Sequence, residues 1–164
     1  MTENAIEVPV PEITREIYAM PAFVTLEVSD VRATVAWYTD GLGFIDLFTM
    51  PGPDGTPVLV HLRRWKYQDI LLRPATGPVV APTGSRISVS ARYEDLAGLA
   101  ERARRHGGGQ VEGPADTAWN THDVTTVDPD GYTVVFTAPR PAGEWDQKFA
   151  ERILELNAGQ NPSP

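Results

Sequence analysis

The sequence predicts an α+β fold: two βαβββ modules forming a cup-shaped mixed sheet, with an added C-terminal helix. Three observations predict it. Strand and helix signals run in the order strand, helix, three strands, and the same order returns after a proline-rich break. The punctuation of the two halves matches at a constant offset of 65 residues: Asp30 and Asp95 at the helix starts, Gly43 and Gly108 after the helices, Pro74 and Pro139 after the last strands. Beyond Pro141, the residues Trp145, Phe149, Ile153 and Leu156 are spaced 4, 4 and 3 apart, which is one face of a helix.

Residues 1–21 read as an N-terminal arm, extended, with prolines at 9 and 11. Residues 22–73 form the first module. Ala22–Ser29 alternates, with Val24, Leu26 and Val28 on one face. Ser29 or Asp30 caps a helix over Val31–Thr39, and Gly41 and Gly43 end it. Strands follow at Phe44–Met50, Pro57–Trp65 and Asp69–Arg73, the first two joined by the turn sequence PGPDGT. Residues 74–84 hold three prolines and two glycines and read as a linker. The second module is 85–139: strand Ser85–Arg92, helix Glu94–His106, short strand Gln110–Gly113, strand His122–Val127, a DPDG turn, and strand Tyr132–Ala138. Residues 140–164 are the C-terminal helix and tail, ended by Gly159 and Pro162. The apolar stripe of that helix needs a partner, either the chain's own sheet or a second copy in a homodimer.

Composition narrows the function. At 164 residues, 41% hydrophobic and 22% charged, the chain can bury a stable core and is not a disordered type. It has no cysteine, so disulfides, thiolate metal sites and a cysteine nucleophile are excluded, in keeping with a cytoplasmic location. No apolar run approaches the roughly 20 residues of a membrane span, and Met1–Pro11 lacks the basic start and apolar stretch of a signal peptide. A net charge of −8 repels nucleic-acid backbones and anionic membrane surfaces, so the expected partner is a small molecule, with no nucleic acid and no membrane. No G-x-S-x-G, H-E-x-x-H or P-loop pattern occurs, and the glycines at 107–109 precede a strand rather than opening a helix.

Two segments carry a resemblance: VTLEVSDVRATVAWYTDGLGF at 24–44 and AWNTHDVTTVDPDGYTVVF at 118–136. In order, on a double module, they resemble the opening and closing motifs of the vicinal oxygen chelate superfamily, which includes glyoxalase I, bleomycin-resistance proteins and extradiol dioxygenases. The resemblance covers residues 22–139. It implies a divalent metal held by a histidine in each module's first strand and a glutamate in each module's last strand. Carried over, the histidines fall on Phe23 and on Ser88 or Arg86, and the glutamates on Ile70 or Leu71 and on Val135. None of these ligates a metal, and an arginine would repel one, so no cofactor is expected.

Alternation leaves Phe23, Thr25 and Glu27 of the first strand, and Leu59, His61, Arg63 and Trp65 of the third, facing the cup. The candidate ligand-binding residues are Phe23, Glu27, Phe48, His61, Trp65, Arg86, Trp119 and Asn120, with Trp119 and Trp65 as the main contacts. No catalytic residue is assigned. The loop position of Trp119 also suits packing at a dimer interface, and Trp65 also suits covering a sheet edge. The expected function is that of a metal-free homodimer that sequesters an aromatic, antibiotic or cytotoxic natural product and so gives self-resistance. Two rivals are a metal-independent cyclase, isomerase or tailoring enzyme using Glu27, His61 or His122 as acid or base, and a non-catalytic accessory subunit. The purified protein should carry no tightly held metal. Elemental analysis should return well under one equivalent of Zn, Ni, Mn or Fe per chain, and near-stoichiometric metal that resists chelators would refute the carried-over positions.

Overall fold

Alternation within the strands decides which face of each sheet meets a helix. In strand β1 (Val24–Val28), Leu26 and Val28 are buried while Thr25 and Glu27 are exposed. Asp30 then starts helix α1 (Val31–Ala36), its carboxylate accepting a 3.0 Å hydrogen bond from the Ala33 N–H. The helix does not end as a regular one. Trp37–Gly41 widens into a π-helical turn, closed by a 3.1 Å bond from Leu42 N–H to the Trp37 carbonyl, with Trp37 and Tyr38 both buried in it. Strands β2 (Ile45–Pro51), β3 (Pro57–Arg63) and β4 (Asp69–Pro74) complete the first module. The computed structural model describes residues 13–160. The first part of the expected arm, residues 1–12, and Pro162 of the tail lie outside the described residues.

The second module repeats the pattern with β5 (Arg86–Ser90), helix α2 (Leu96–His106), β6 (Gln110–Asp116), β7 (Thr121–Val127) and β8 (Thr133–Pro139). Each module is a four-stranded mixed sheet, ordered β1-β4-β3-β2 and β5-β8-β7-β6, with β1/β4 and β5/β8 parallel. Several element bounds differ from the sequence reading, two of them in this module with a clear structural cause. A 3₁₀ turn at Tyr93–Asp95 precedes α2, which begins at Leu96 rather than Glu94. Strand β6 continues past Gly113, because a bulge absorbs Gly113 and Pro114 and lets Ala115 and Asp116 pair with Asp123 and His122.

The helix-facing sides of the two modules share one core. Phe44 meets Phe136 edge-on at 6.5 Å, Trp37 meets His106 at 6.1 Å, and Arg102 Nε donates to the Gly41 carbonyl at 3.0 Å. Across that core Tyr38 donates its hydroxyl to Asp128 at 3.2 Å. The same carboxylate holds the DPDG turn, accepting from the N–H groups of Asp130 and Tyr132. Burial raises the pKa of both partners: Tyr38 well above the usual phenol range, and Asp128 above the usual carboxylate range against the hydrogen bonds that lower it.

Helix α3 (Gln147–Gln160) forms over Phe149, Ile153 and Leu156 as the spacing predicted, but it starts after Trp145, whose backbone is extended, and runs through Gly159, the expected stop. Its stripe does not pack on the chain's own sheet: Ile153 is 48% and Leu156 47% exposed, and Phe149 is half-buried. Asn120 fastens the start of this segment, donating to the Asp146 carbonyl at 3.1 Å and accepting from the Asp146 N–H at 2.6 Å.

Gly109→Ala should be destabilising, because a Cβ there would collide with the Val127 carbonyl and lie 2.6 Å from the Trp37 ring. Overpacking of this kind costs about 1–3 kcal/mol, measurable as a lower urea midpoint. Asp128 gives a pH signature. Its raised folded pKa means that the folded chain takes up the proton more readily than the unfolded one. Its contribution to stability therefore falls as pH rises from the usual aspartate value through the raised folded value. Asp128→Asn should flatten that part of the stability–pH curve.

Candidate functional site

With the helix sides joined in the core, the chemistry lies on the outer faces of the sheets and at the seam between them. Register sets the outer face of the first module: His61 stands opposite Leu71, and Arg63 opposite Asp69, while Val60 and Leu62 point into the core. Arg63 and Asp69 are nonetheless buried, because residues 14–18 of the arm lie over them. Asp69 Oδ1 accepts from Arg63 Nε at 2.7 Å and lies 2.7 Å from His61 Nε2; its Oδ2 accepts from the Tyr18 hydroxyl at 2.9 Å. Arg63 Nη1 donates to the carbonyls of Thr14 and Glu16 at 3.1 and 2.6 Å, and its guanidinium sits 4.1 Å from the Tyr18 ring centre. This charge-balanced cluster ties the arm to the sheet. Neither Asp69 nor Tyr18 stood out in the sequence, since only the β3/β4 register and the return of the arm bring them to Arg63.

Edges β1 and β5 line common cavities without sharing a ladder. Between them is a cavity of about 320 Å³ whose lining includes Phe23, Tyr67, Asp69, Arg86 and Ser88. Phe23, Arg86 and Ser88 are the positions on which the two metal histidines fall. On the glutamate side, Thr25 pairs with Leu71 on the outer face, whereas Ile70 is 1% exposed in the core and also lines the seam cavity. Ser88 pairs with Val135. A phenyl ring, a hydroxyl, a guanidinium and two aliphatic groups do not fit a divalent cation. The cavity also offers Arg86, which has no ion-pair partner among the described residues.

The other sequence-predicted residues are distributed. Phe48 meets His61 edge-on at 5.2 Å on the outer face of the first module, and Glu27 is exposed on that face. Trp65 is elsewhere. Strand β3 ends at Arg63, so the alternation that would aim Trp65 at the cup stops two residues short, and it lines a groove on the helix side. Trp119 is 63% exposed in the β6–β7 turn. Asn120 beside it is 8% exposed, with φ +63° and both amide atoms bonded to Asp146, so it holds α3 rather than facing a ligand. His122 pairs with Asp116 at 2.6 Å and lies 4.9 Å from the Tyr93 ring, on the helix side of its sheet, so it cannot meet His61.

Known proteins share this architecture. A family model described as the Glyoxalase/Bleomycin resistance protein/Dioxygenase superfamily matches residues 21–136. Among solved structures, the fosfomycin resistance protein FosX from Listeria monocytogenes is 13% identical, with 74% of this chain and 94% of that chain covered at a TM-score of 0.58. TnmS3, an antibiotic binding protein from Streptomyces sp. CB03234, is 21% identical over 77% of this chain and 99% of that chain, with a TM-score of 0.57. TioX from Micromonospora sp. ML1 is 20% identical over 71% and 96%, also at 0.57. At these identities the likeness is one of fold. No curated protein matches by sequence.

Asp69→Ala should cost about 3–5 kcal/mol, because it leaves the Arg63 guanidinium buried without its carboxylate. Tyr18→Phe should cost only about 1 kcal/mol, the worth of an ordinary hydrogen bond. Urea denaturation checks both, and a smaller loss for Asp69→Ala than for Tyr18→Phe would show that the cluster does not anchor the sheet.

Proposed function

The chain belongs to the glyoxalase/bleomycin resistance protein/dioxygenase superfamily, and we propose that within it this protein binds a flat aromatic natural product without metal and sequesters it. One observation carries the reading. The seam cavity is lined by Phe23, Arg86 and Ser88, the positions to which the resemblance carries the two metal histidines, and none of them is a histidine. An apolar ring and a free guanidinium suit a ligand with an aromatic body and an electron-rich oxygen. The antibiotic-binding relative TnmS3 supports the same role, since it has this fold.

A homodimer completes the site in this reading. The outer face of β5 exposes Arg86, Ser88 and Ser90, and the α3 stripe is uncovered; a second copy over these surfaces would close the cavity and bury the stripe. Trp119 then stands at a rim rather than in open solvent. The protein acts in the cytoplasm, and no helix among the described residues is long and apolar enough to cross a membrane.

A metal-independent enzyme is the second reading, and one feature favours it. With Nε2 of His61 bonded to buried Asp69, the ring is oriented and Nδ1 is left to accept a proton.

Titration with an anthraquinone, followed by intrinsic tryptophan fluorescence, separates these readings. Phe23→Ala, Arg86→Gln and Trp119→Ala should each weaken binding roughly tenfold, equivalent to about 1.4 kcal/mol. The compound should be recovered unchanged. Turnover that is lost in His61→Asn would establish the enzyme, and unchanged affinity in all three variants would move the site away from the seam. Light scattering at micromolar concentration should give twice the 17.9 kDa chain mass.

A further inference from the structure

A second cavity lies away from the seam. A groove of about 620 Å³ runs on the helix side, between the turn after β3 and the first turns of α2, and it shares no lining residue with the seam cavity. Its floor is Arg64, which is 6% exposed. Arg64 Nη1 donates to the Ser90 carbonyl at 2.8 Å and to Gln68 Oε1 at 3.2 Å, and its guanidinium lies 4.3 Å from the Trp65 ring centre and 5.1 Å from that of Phe136. All of these partners are neutral. Two more guanidinium groups, Arg102 and Arg105, line the groove, and among the described residues none of the three is in an ion pair. The acids at the rim do not balance them. Glu94 and Asp95 are taken by Arg92, at 3.7 and 2.7 Å, which leaves Glu101.

A buried cation without a counter-ion is costly, so the floor of this groove is electrostatically incomplete. Burial pulls the Arg64 pKa down to about 10; Asp95 pulls it back up, while Arg102 and Arg92 repel it. With Arg92 counted beside the lining, four guanidinium groups meet three carboxylates, a small positive excess in a chain of net charge −8. Its size is that of a small-molecule site, and Trp65 supplies a flat apolar wall beside the guanidinium groups.

We propose that this groove is a second binding site, for a small planar organic anion whose carboxylate or phosphate meets Arg64 and Arg105 and whose ring lies along Trp65. Arginine suits such groups because its planar fork pairs with two oxygens at once. The sequence reading placed Trp65 in the cup; in the groove it has a separate role, independent of what binds at the seam.

Calorimetric titration of the full chain with 2-naphthoate, 2-naphthyl phosphate and the neutral 2-naphthylmethanol tests this. One equivalent of an anion should bind at least about tenfold more tightly than the alcohol, and added salt should weaken it. A preference for either anion supports the proposal and identifies its acidic group. Arg64→Met should abolish the preference for the anion. If that variant does not fold, Arg105→Gln and Trp65→Leu, both nearer the surface, should each weaken anion binding several-fold. Arg86→Gln should leave it unchanged, so a failure of the seam reading does not affect this one. Equal affinity for acid and alcohol, no binding of either anion, or loss of binding in Arg86→Gln but not in Arg105→Gln and Trp65→Leu would overturn it.

Discussion

The shared core between the two helix-facing sides is the constraint on which the rest depends. Trp37, Tyr38, Phe44 and Phe136 fill it from both modules, and the Tyr38–Asp128 bond ties the π-helical turn of one module to the DPDG turn of the other. A mixed sheet packed on one side has a single free face. With both helix sides occupied, each module turns its β1 or β5 edge toward the other and its remaining face outward. The place of the seam cavity and the exposure of Thr25, Glu27, Arg86 and Ser88 follow from that one packing choice.

Charge balance then separates the arginines paired with a carboxylate from those that are not. On the outer face of the first module, Arg63 and Asp69 neutralise each other, and Tyr18 and two arm carbonyls add hydrogen bonds that leave Arg63 Nη2 as the unpartnered atom of the pair. That cluster can be buried because it is paired. Arg86 at the seam and Arg64 in the helix-side groove have no carboxylate partner among the described residues, one largely exposed and the other buried. The resemblance implies a metal cation in the cup of the superfamily's enzymes. Here a positive charge persists at the seam as a guanidinium, which can hold an anionic or polarised oxygen but cannot supply a Lewis acid or a coordinated water. The change of residue therefore alters the available chemistry while leaving the scaffold intact.

Much of the fold was legible in the sequence because it rests on local rules. Period-two alternation in β1, the Asp30 cap, the Asp-Pro-Asp-Gly turn and the 65-residue offset all act over a few residues or repeat visibly, and each marks the same feature in the structure. That the Phe23 and Val135 side chains offer no donor atom to a metal follows from residue type alone. Tertiary structure decided what depends on distant partners. Strand β3 stops at Arg63, which sends Trp65 to the helix side; the bulge at Gly113 lengthens β6; and Asn120 is occupied by Asp146, 26 residues away. The closing of the arm over Arg63 and Asp69, and the missing counter-ion of Arg64, depend on which groups meet across the fold, and residue type alone does not determine that.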